Sequence, residues 1–197
     1  MSASLGEGED FERDAQLLAA DLRDRTHIVG HSSGALAALL TAAARPTETA
    51  SLTLIEAPAF QIASESAAAK DSLSLNEELW DRQDLDSVSW LKSFFAVNGG
   101  EAPPEAVLAT LASPAGVWRR FVRRPWHGDL PLDALGQASF PKLIVSGGHS
   151  RAFEDVCDVI AERVGAEREV VRGEGHEVQR TGTPFNERLA AFLTEAS

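Results

Sequence analysis

Apolar and polar positions along the chain follow two periods, which predict short buried strands separated by amphipathic helices. Short apolar runs bounded by turn residues predict strands, and they span residues 26–30, 51–55, 143–146 and 169–171. Apolar residues at helical spacing, or a run rich in Ala and Leu, predict helices, and these span residues 9–24, 34–44, 151–164 and 183–195. The last helix is expected to begin with Thr183 as its cap and Pro184 as its first helical residue.

Strands that alternate with helices predict an α/β fold, here a parallel half-sheet of about four strands with helices on both faces. The middle of the chain breaks this pattern, because it has helical and loop-like segments and no obvious strand. We therefore predict three parts: residues 1–59 and 131–197 form the core, and 60–130 form a helical cap insertion. The cap contains all the tryptophans, Trp80, Trp90, Trp118 and Trp126, and the pair Phe94-Phe95.

Composition narrows the function classes that fit this fold. The chain has 197 residues, and 30 acidic against 18 basic residues give a net charge of −12, which argues against nucleic acid as a partner. The one cysteine, Cys157, excludes an internal disulfide and Cys-rich zinc sites. No apolar run approaches the roughly 20 residues of a membrane helix, and the acidic N-terminus does not resemble a signal peptide. We expect a cytoplasmic protein with a small-molecule partner.

The strongest chemical signal is the segment Gly30-His31-Ser32-Ser33-Gly34, which fits the pattern G-x-S-x-G between a predicted strand and a predicted helix. A tight turn there presents the Ser32 hydroxyl at a helix N-terminus, where the helix dipole stabilises developing negative charge. Glycines on both sides are expected to let strand and helix approach closely. A serine nucleophile needs a base, and His176 follows Gly175 on the loop after the last predicted strand. The alternative is a surface-loop histidine.

These segments resemble the α/β-hydrolase fold family. The resemblance rests on Ile28–Gly34 for the nucleophile turn and Gly173–His176 for the histidine loop. Between them, residues 52–58 and 141–148 look like the family's sixth and seventh strands. The resemblance implies acyl-transfer chemistry with Ser32 as nucleophile and His176 as base, and the backbone N–H of Ser33 as an oxyanion donor.

The sequence offers two positions for the acid that orients His176. Most of the family places it after the seventh strand, where this chain has no carboxylate before Glu154 and Asp155. Some members place it after the sixth strand, and Glu56 occupies that position. Glu56 is the expected acid, since a carboxylate there would hold His176 in its productive tautomer. Glu154, Asp155 or no acid at all remain alternatives.

Several other side chains are candidates for the substrate pocket or for structural roles. His31, Trp80, Trp90, Phe94 and His149 are expected to line the pocket, although the aromatic residues fit a helical core equally well. His27 is expected to be structural, and His127 to belong to the cap. No histidine pair has the spacing of a zinc site, so no metal is expected, and no cofactor either. The basic cluster is expected to be solvated, or to attract an anionic substrate; it comprises Arg119, Arg120, Arg123 and Arg124.

The resemblance also implies strands that this sequence does not supply. Only 31 residues precede Ser32, whereas four strands precede the nucleophile in the family, and the loop after the third of them carries a second oxyanion donor. We therefore expect an N-terminally truncated form whose strand 26–30 is an exposed edge, prone to self-association. The expected function is a serine hydrolase acting on an ester, thioester or lactone. A catalytically impaired remnant and a non-enzymatic binding domain are the alternatives.

Overall fold

The fold of this chain was obtained as a computed structural model, and the structure describes residues 10–119 and 124–196. Four strands are observed: β1 (Thr26–His31), β2 (Thr49–Ile55), β3 (Lys142–Ser146) and β4 (Glu167–Val170). The α-helices are α1 (Phe11–Asp21), α2 (Ser33–Ala44), α3 (Ala67–Asp81), α4 (Ser87–Val97), α5 (Glu105–Trp118), α6 (Leu132–Gln137), α7 (Arg151–Val164) and α8 (Thr183–Glu195). Short 3₁₀ turns occupy Phe60–Ile62, Pro125–His127 and Val178–Thr181.

The strands form one parallel sheet in the order β1-β2-β3-β4, which confirms the predicted α/β half-sheet. The carboxyl ends are in register, because His31 pairs with Ile55 and Ile55 with Val145. Helices connect the strands, as parallel pairing requires. The loops that follow all four strands therefore emerge along one edge of the sheet.

The side chains of the strands alternate between two hydrophobic cores. Ile28, Leu52, Leu54 and Ile144 face the larger core, which they share with α1, α2, α6 and α7. Ile55, Leu143 and Val145 face the smaller core, which Phe185 and Phe192 of α8 complete. Helices thus lie on both faces of the sheet, but one face of β1 is only partly covered. Val29 is 44% exposed. Its side chain points to the face on which α8 packs, but α8 contacts β2 and β3 there and leaves Val29 uncovered.

Several element boundaries differ from the predictions. Helix α1 is shorter than the predicted 9–24: Asp10 caps it by accepting from the backbone N–H groups of Glu12 and Arg13, and Leu22 is already extended. The predicted strand 169–171 lies at 167–170. Thr183 is the first residue of α8 and not its cap. The cap position belongs to Gly182, whose φ of 72° suits glycine.

The segment between β2 and β3 contains α3, α4, α5 and α6 and, within its described residues, no strand. This agrees with the helical character predicted for 60–130, while the division into domains stays a prediction. Trp80, Trp90 and Trp126 are buried there; the side chain of Trp118 lies outside the described part. None of the helices in 10–119 and 124–196 is long and apolar enough to cross a membrane. The acidic N-terminal residues 1–9 lie outside the described residues.

Candidate active site

The site is built from the turns that follow the four strands. Ser32 follows β1, Glu56 follows β2, Gly147 to His149 follow β3, and His176 lies on the loop after β4. Backbone hydrogen bonds fix the first two turns: the N–H of Ser32 donates to Ile55 O at 2.9 Å and the N–H of Glu56 to Val145 O at 3.0 Å. Because each turn is tied to the neighbouring strand, sheet register sets the relative positions of these residues.

Ser32 occupies a strained turn between β1 and α2. Its φ of 55° and ψ of −129° are rare for a residue with a side chain. Gly30 makes the turn sterically feasible, since a Cβ there would lie 2.4 Å from the carbonyl oxygen of Gly34. The second glycine is different: a Cβ on Gly34 would meet nothing within 4 Å. The expectation that both glycines permit close packing is therefore wrong for Gly34.

The carboxylate of Glu56 and the imidazole of His176 form a hydrogen-bonded pair. Glu56 Oε2 lies 3.2 Å from His176 Nδ1, and Glu56 is 0% exposed. Its other oxygen, Oε1, accepts the backbone N–H of Gly147 at 2.6 Å. Both carboxylate oxygens are thus engaged, and the pair fixes the tautomer of His176: Nδ1 carries the proton, which leaves Nε2 as the basic nitrogen.

The histidine loop packs directly on the turn after β3. A Cβ on Gly147 would lie 1.9 Å from the carbonyl oxygen of Gly175, so only glycine allows this approach. Gly147 also donates to Glu56, and Gly175 precedes His176. The contact therefore holds the carboxylate and the imidazole in one rigid unit.

The two alternative carboxylates point elsewhere. Glu154 accepts the backbone N–H of Gly148 and forms an ion pair with Arg168 at 2.6 Å. Asp155 accepts the hydroxyl of Ser66 at 2.6 Å and pairs with Arg151. Glu56 is therefore the carboxylate next to His176.

His31, at the end of β1 and next to Ser32, contacts the loop that carries His176. Its Nε2–H donates to the carbonyl oxygen of His176 at 2.8 Å, and the two rings lie 4.7 Å apart. Burial lowers the pKa of the His31 imidazole, and the nearby His176 lowers it further. Both effects favour the neutral imidazole of His31 beside His176.

His149 lies behind the Glu56–His176 pair. Its Nε2–H donates to the carbonyl oxygen of Asn98 at 3.2 Å, and its buried Nδ1, which has no hydrogen-bond partner, lies 3.7 Å from Glu56 Oε1. Ligand atoms of Glu56, His149 and His176 all fall within 4.8 Å of one another, so these residues could hold a metal ion. An ion held by His176 Nδ1 would take the place of the proton that this nitrogen shares with Glu56.

A cavity of about 330 Å³ opens on this site, within the size range of small-ligand pockets. One end is lined by Ser32, Ser33 and His176, and the walls include Trp80 and Phe94. Two expected pocket residues, Trp90 and His149, are not among the lining residues. Trp90 is 0% exposed and lies behind the wall, stacked on Phe94 at 5.3 Å.

Other lining residues were not among those expected to line the pocket, although Trp126 was expected in the cap. Phe60, Trp126 and Phe153 extend the aromatic wall, and Asn76 and Asn98 form its polar part. Phe153 lies on the apolar face of α7, where helical spacing predicts a core residue and gives no sign of a cavity. The two asparagines resemble ordinary polar positions at helix surfaces.

The basic cluster does not face the cavity where it is described. Arg119 donates to the carbonyl oxygens of Leu85 and Arg82, and Arg124 pairs with Glu77 and Asp81. Their guanidinium groups thus serve contacts within the cap. Arg120 and Arg123 lie outside the described residues.

Comparisons with known proteins agree with this architecture. A family model described as "Alpha/beta hydrolase family" matches residues 3–192. A hydrolase from Oleispira antarctica is 19% identical, with a TM-score of 0.74 over 98% of this chain and 75% of that chain. A carboxylesterase structure from the thaumarchaeon Nitrososphaera gargenis is 14% identical, with a TM-score of 0.69 over 97% and 74%.

A third structure, Est816, is described as an N-acyl homoserine lactone degrading enzyme. It is 18% identical, with a TM-score of 0.64 over 94% of this chain and 75% of that chain. A search of curated protein sequences finds no match. At these identities the structural likeness shows the fold alone.

Proposed function

Because the chain belongs to the alpha/beta hydrolase family, we propose that it is a serine hydrolase that cleaves an ester-like bond of a small molecule. The bond is an oxygen ester, a thioester or a lactone. Carboxylesterase and lactone-degrading activities in the descriptions of two structural relatives support this class. The observation that carries the proposal is the Glu56–His176 hydrogen bond of 3.2 Å beside the strained Ser32 turn, both at one cavity.

In the proposed reaction, the Ser32 hydroxyl attacks the acyl carbonyl carbon while His176 Nε2 accepts its proton. Glu56 holds the Nδ1 proton and stabilises the imidazolium that forms. The N–H of Ser33, in the first turn of α2, has no acceptor within the helix and is assigned as an oxyanion donor. The imidazolium then protonates the leaving oxygen or sulfur. A water molecule, activated by His176, hydrolyses the Ser32 acyl ester and releases the acid.

The proposal is tested by acylation of Ser32. With p-nitrophenyl butyrate, we expect the wild-type protein to release p-nitrophenol in a Ser32-dependent reaction and to react with a fluorophosphonate probe. Ser32→Ala is expected to lower turnover at least about 10³-fold and to abolish labelling. Ser93→Ala, which removes a hydroxyl that bonds within α4, is the matched control. Equal turnover by wild type and Ser32→Ala would remove Ser32 as the nucleophile.

A second candidate function is a binding domain with impaired catalysis. It is favoured by one observation: among the described residues, Ser32 Oγ makes no hydrogen bond to His176. Such contacts are often loose before substrate binds and tighten in the complex, so the hydrolase remains our proposal. Tight binding of esters by wild type with no acylation of Ser32 would favour the binding domain.

A further inference from the structure

Two asparagine side chains of the cap form a reciprocal amide pair at the cavity. Asn76 lies on α3 and Asn98 directly follows α4, and both line the cavity. Asn76 Nδ2 donates to Asn98 Oδ1 and Asn98 Nδ2 donates to Asn76 Oδ1, each at 3.2 Å. Asn76 is only 1% exposed and Asn98 is half-buried, so Asn98 is the accessible member of the pair in an otherwise aromatic wall.

The hydrogen bonds of the pair determine what it can offer a ligand. Each amide nitrogen makes a second bond to the backbone: Asn76 Nδ2 to Ser72 O and Asn98 Nδ2 to Phe94 O, both at 2.9 Å. A primary amide has two N–H donors and two acceptor sites on its oxygen. All four N–H donors of the pair are therefore used within the protein. Each Oδ1 accepts one hydrogen bond and keeps one acceptor site. Because Asn76 is 1% exposed, the acceptor within reach of a ligand is Asn98 Oδ1, and the pair offers no donor.

The surrounding wall is aromatic and presents edges and faces of rings. Trp80 contacts Phe94 and Trp126 in edge-to-face geometry, with ring centroids 5.9 Å and 4.9 Å apart. Phe60 and Phe153 line the same cavity. The indole N–H of Trp80 is buried and is not presented to a ligand. Aromatic rings favour these offset and edge-to-face contacts with one another, so the wall matches a planar ring better than a flexible chain.

We propose that the cavity selects substrates carrying an aromatic ring with a hydrogen-bond donor, such as a phenolic hydroxyl, which the Asn76–Asn98 pair accepts. This inference rests on the proposed hydrolase function and adds the substrate class. A cavity of about 330 Å³ is near the lower limit for ligand pockets, which suits a substrate of one ring and a short linker. A substrate with an acceptor at the same position would face the amide oxygen of Asn98 and be rejected.

The test compares three methyl esters that differ at one position: methyl 3-phenylpropanoate and its 4-hydroxy and 4-methoxy analogues. Release of the acid is followed by liquid chromatography. We expect kcat/KM to be about three- to tenfold higher for the 4-hydroxy ester than for the unsubstituted one, the size of one net hydrogen bond. The kcat/KM of the 4-methoxy ester should be lower than that of the unsubstituted ester. Equal values, or a methoxy preference, would overturn the proposal.

Variants then assign the preference to the pair. The double variant Asn76→Leu with Asn98→Leu removes both amides together, so neither is left unpaired, and it should bring the hydroxy-to-unsubstituted ratio close to one. Asn186→Leu makes the same change at an exposed position of α8 and should leave the ratio as in wild type. If the double variant folds and its hydroxy-to-unsubstituted ratio is unchanged, the preference does not come from the pair. If it does not fold, the comparison of the three esters with the wild-type protein tests the proposal.

Two further measurements separate this proposal from the proposed function. Methyl butanoate lacks a ring, so its Ser32-dependent hydrolysis tests the hydrolase alone. Binding of 3-(4-hydroxyphenyl)propanamide and 3-phenylpropanamide to Ser32→Ala, followed by tryptophan fluorescence, tests selectivity without turnover. Hydrolysis of methyl butanoate with equal binding of both amides would refute only the specificity. Selective amide binding without hydrolysis of any ester would refute only the hydrolase.

Discussion

At the scale of single residues, the candidate site depends on two non-glycine residues with left-handed backbone. Ser32 has a φ of 55° and Glu56 a φ of 51°, and such conformations cost on the order of 1–3 kcal/mol each. Each residue follows a strand and donates its N–H to the next strand of the sheet. The two strained turns lie at the same edge of the sheet: Ser32 lines the cavity there, and the buried carboxylate of Glu56 contacts His176, which lines the same cavity.

Glu56→Gln tests the role of the carboxylate. The amide oxygen can still accept from Gly147, and the amide nitrogen then faces His176 Nδ1 as a donor. His176 would be forced to carry its proton on Nε2, which removes the base. We expect kcat/KM for p-nitrophenyl butyrate to fall by about 10²–10⁴-fold, with little change in KM.

Asp155→Asn is the matched control, since Asp155 contacts Ser66 and Arg151 rather than His176. It should retain activity within about threefold of wild type, because the amide of Asn can still accept from Ser66, and the lost ion pair is with Arg151, whose side chain is 79% exposed. A larger loss in Asp155→Asn than in Glu56→Gln would reverse the assignment of the acid.

Residues that follow strands could be predicted from the sequence, whereas residues that line the cavity from the cap could not. Ser32, Glu56 and His176 lie in turns whose positions follow from the strand pattern. Phe153 and the Asn76–Asn98 pair are brought to the cavity by packing between distant segments, which leaves no local periodic signal. Hydrophobicity also cannot tell a wall residue such as Trp80 from Trp90 directly behind it.

At the scale of elements, prediction succeeded where apolar faces are continuous. The predicted helix 151–164 matches α7 at both ends, since its seven buried residues mark one full face and Gly165 ends it with a φ of 65°. The predicted strand 169–171 is displaced from β4, which has only four residues and none fully buried. A short, half-exposed edge strand carries too little hydrophobic pattern to fix its ends.

The close packing of β1 against α2 gives a prediction on the two glycines of the nucleophile turn. Gly30→Ala places a Cβ 2.4 Å from the carbonyl oxygen of Gly34 and 2.7 Å from Ala38 Cβ, so the helix must move away from the strand. We expect a loss of at least about 1–3 kcal/mol in the free energy of unfolding measured in urea. Activity should fall with it, because Ser32 lies in the displaced turn.

Gly34→Ala should behave in the opposite way. Its Cβ meets no atom within 4 Å, and alanine in a helix is more stable than glycine by roughly 0.5–1 kcal/mol. If Gly30→Ala and Gly34→Ala destabilise the protein equally, the space around Gly34 is smaller than the structure indicates.

At the scale of the whole molecule, the two edges of the sheet differ. Among the described residues, β1 pairs only with β2, so one row of its N–H and C=O groups has no strand beside it. Arg188 of α8 forms ion pairs with Glu167 and Glu169 at the β4 edge, which places charge there. At β1, the exposed side chain is the apolar Val29. Uncharged edges of this kind are the ones that pair with another chain.

We therefore propose that copies of this chain associate through β1. The net charge of −12 opposes contact between copies and is screened by salt, so association should increase between 0.05 and 0.5 M NaCl in light scattering coupled to size exclusion. Val29→Lys puts a charge on the edge and should shift the protein toward the monomer of 21.1 kDa. Leu75→Lys makes the equivalent change at an exposed apolar residue of α3 and should associate like wild type. A wild-type monomer at both salt concentrations, or equal effects of the two lysines, would show that β1 is not the interface.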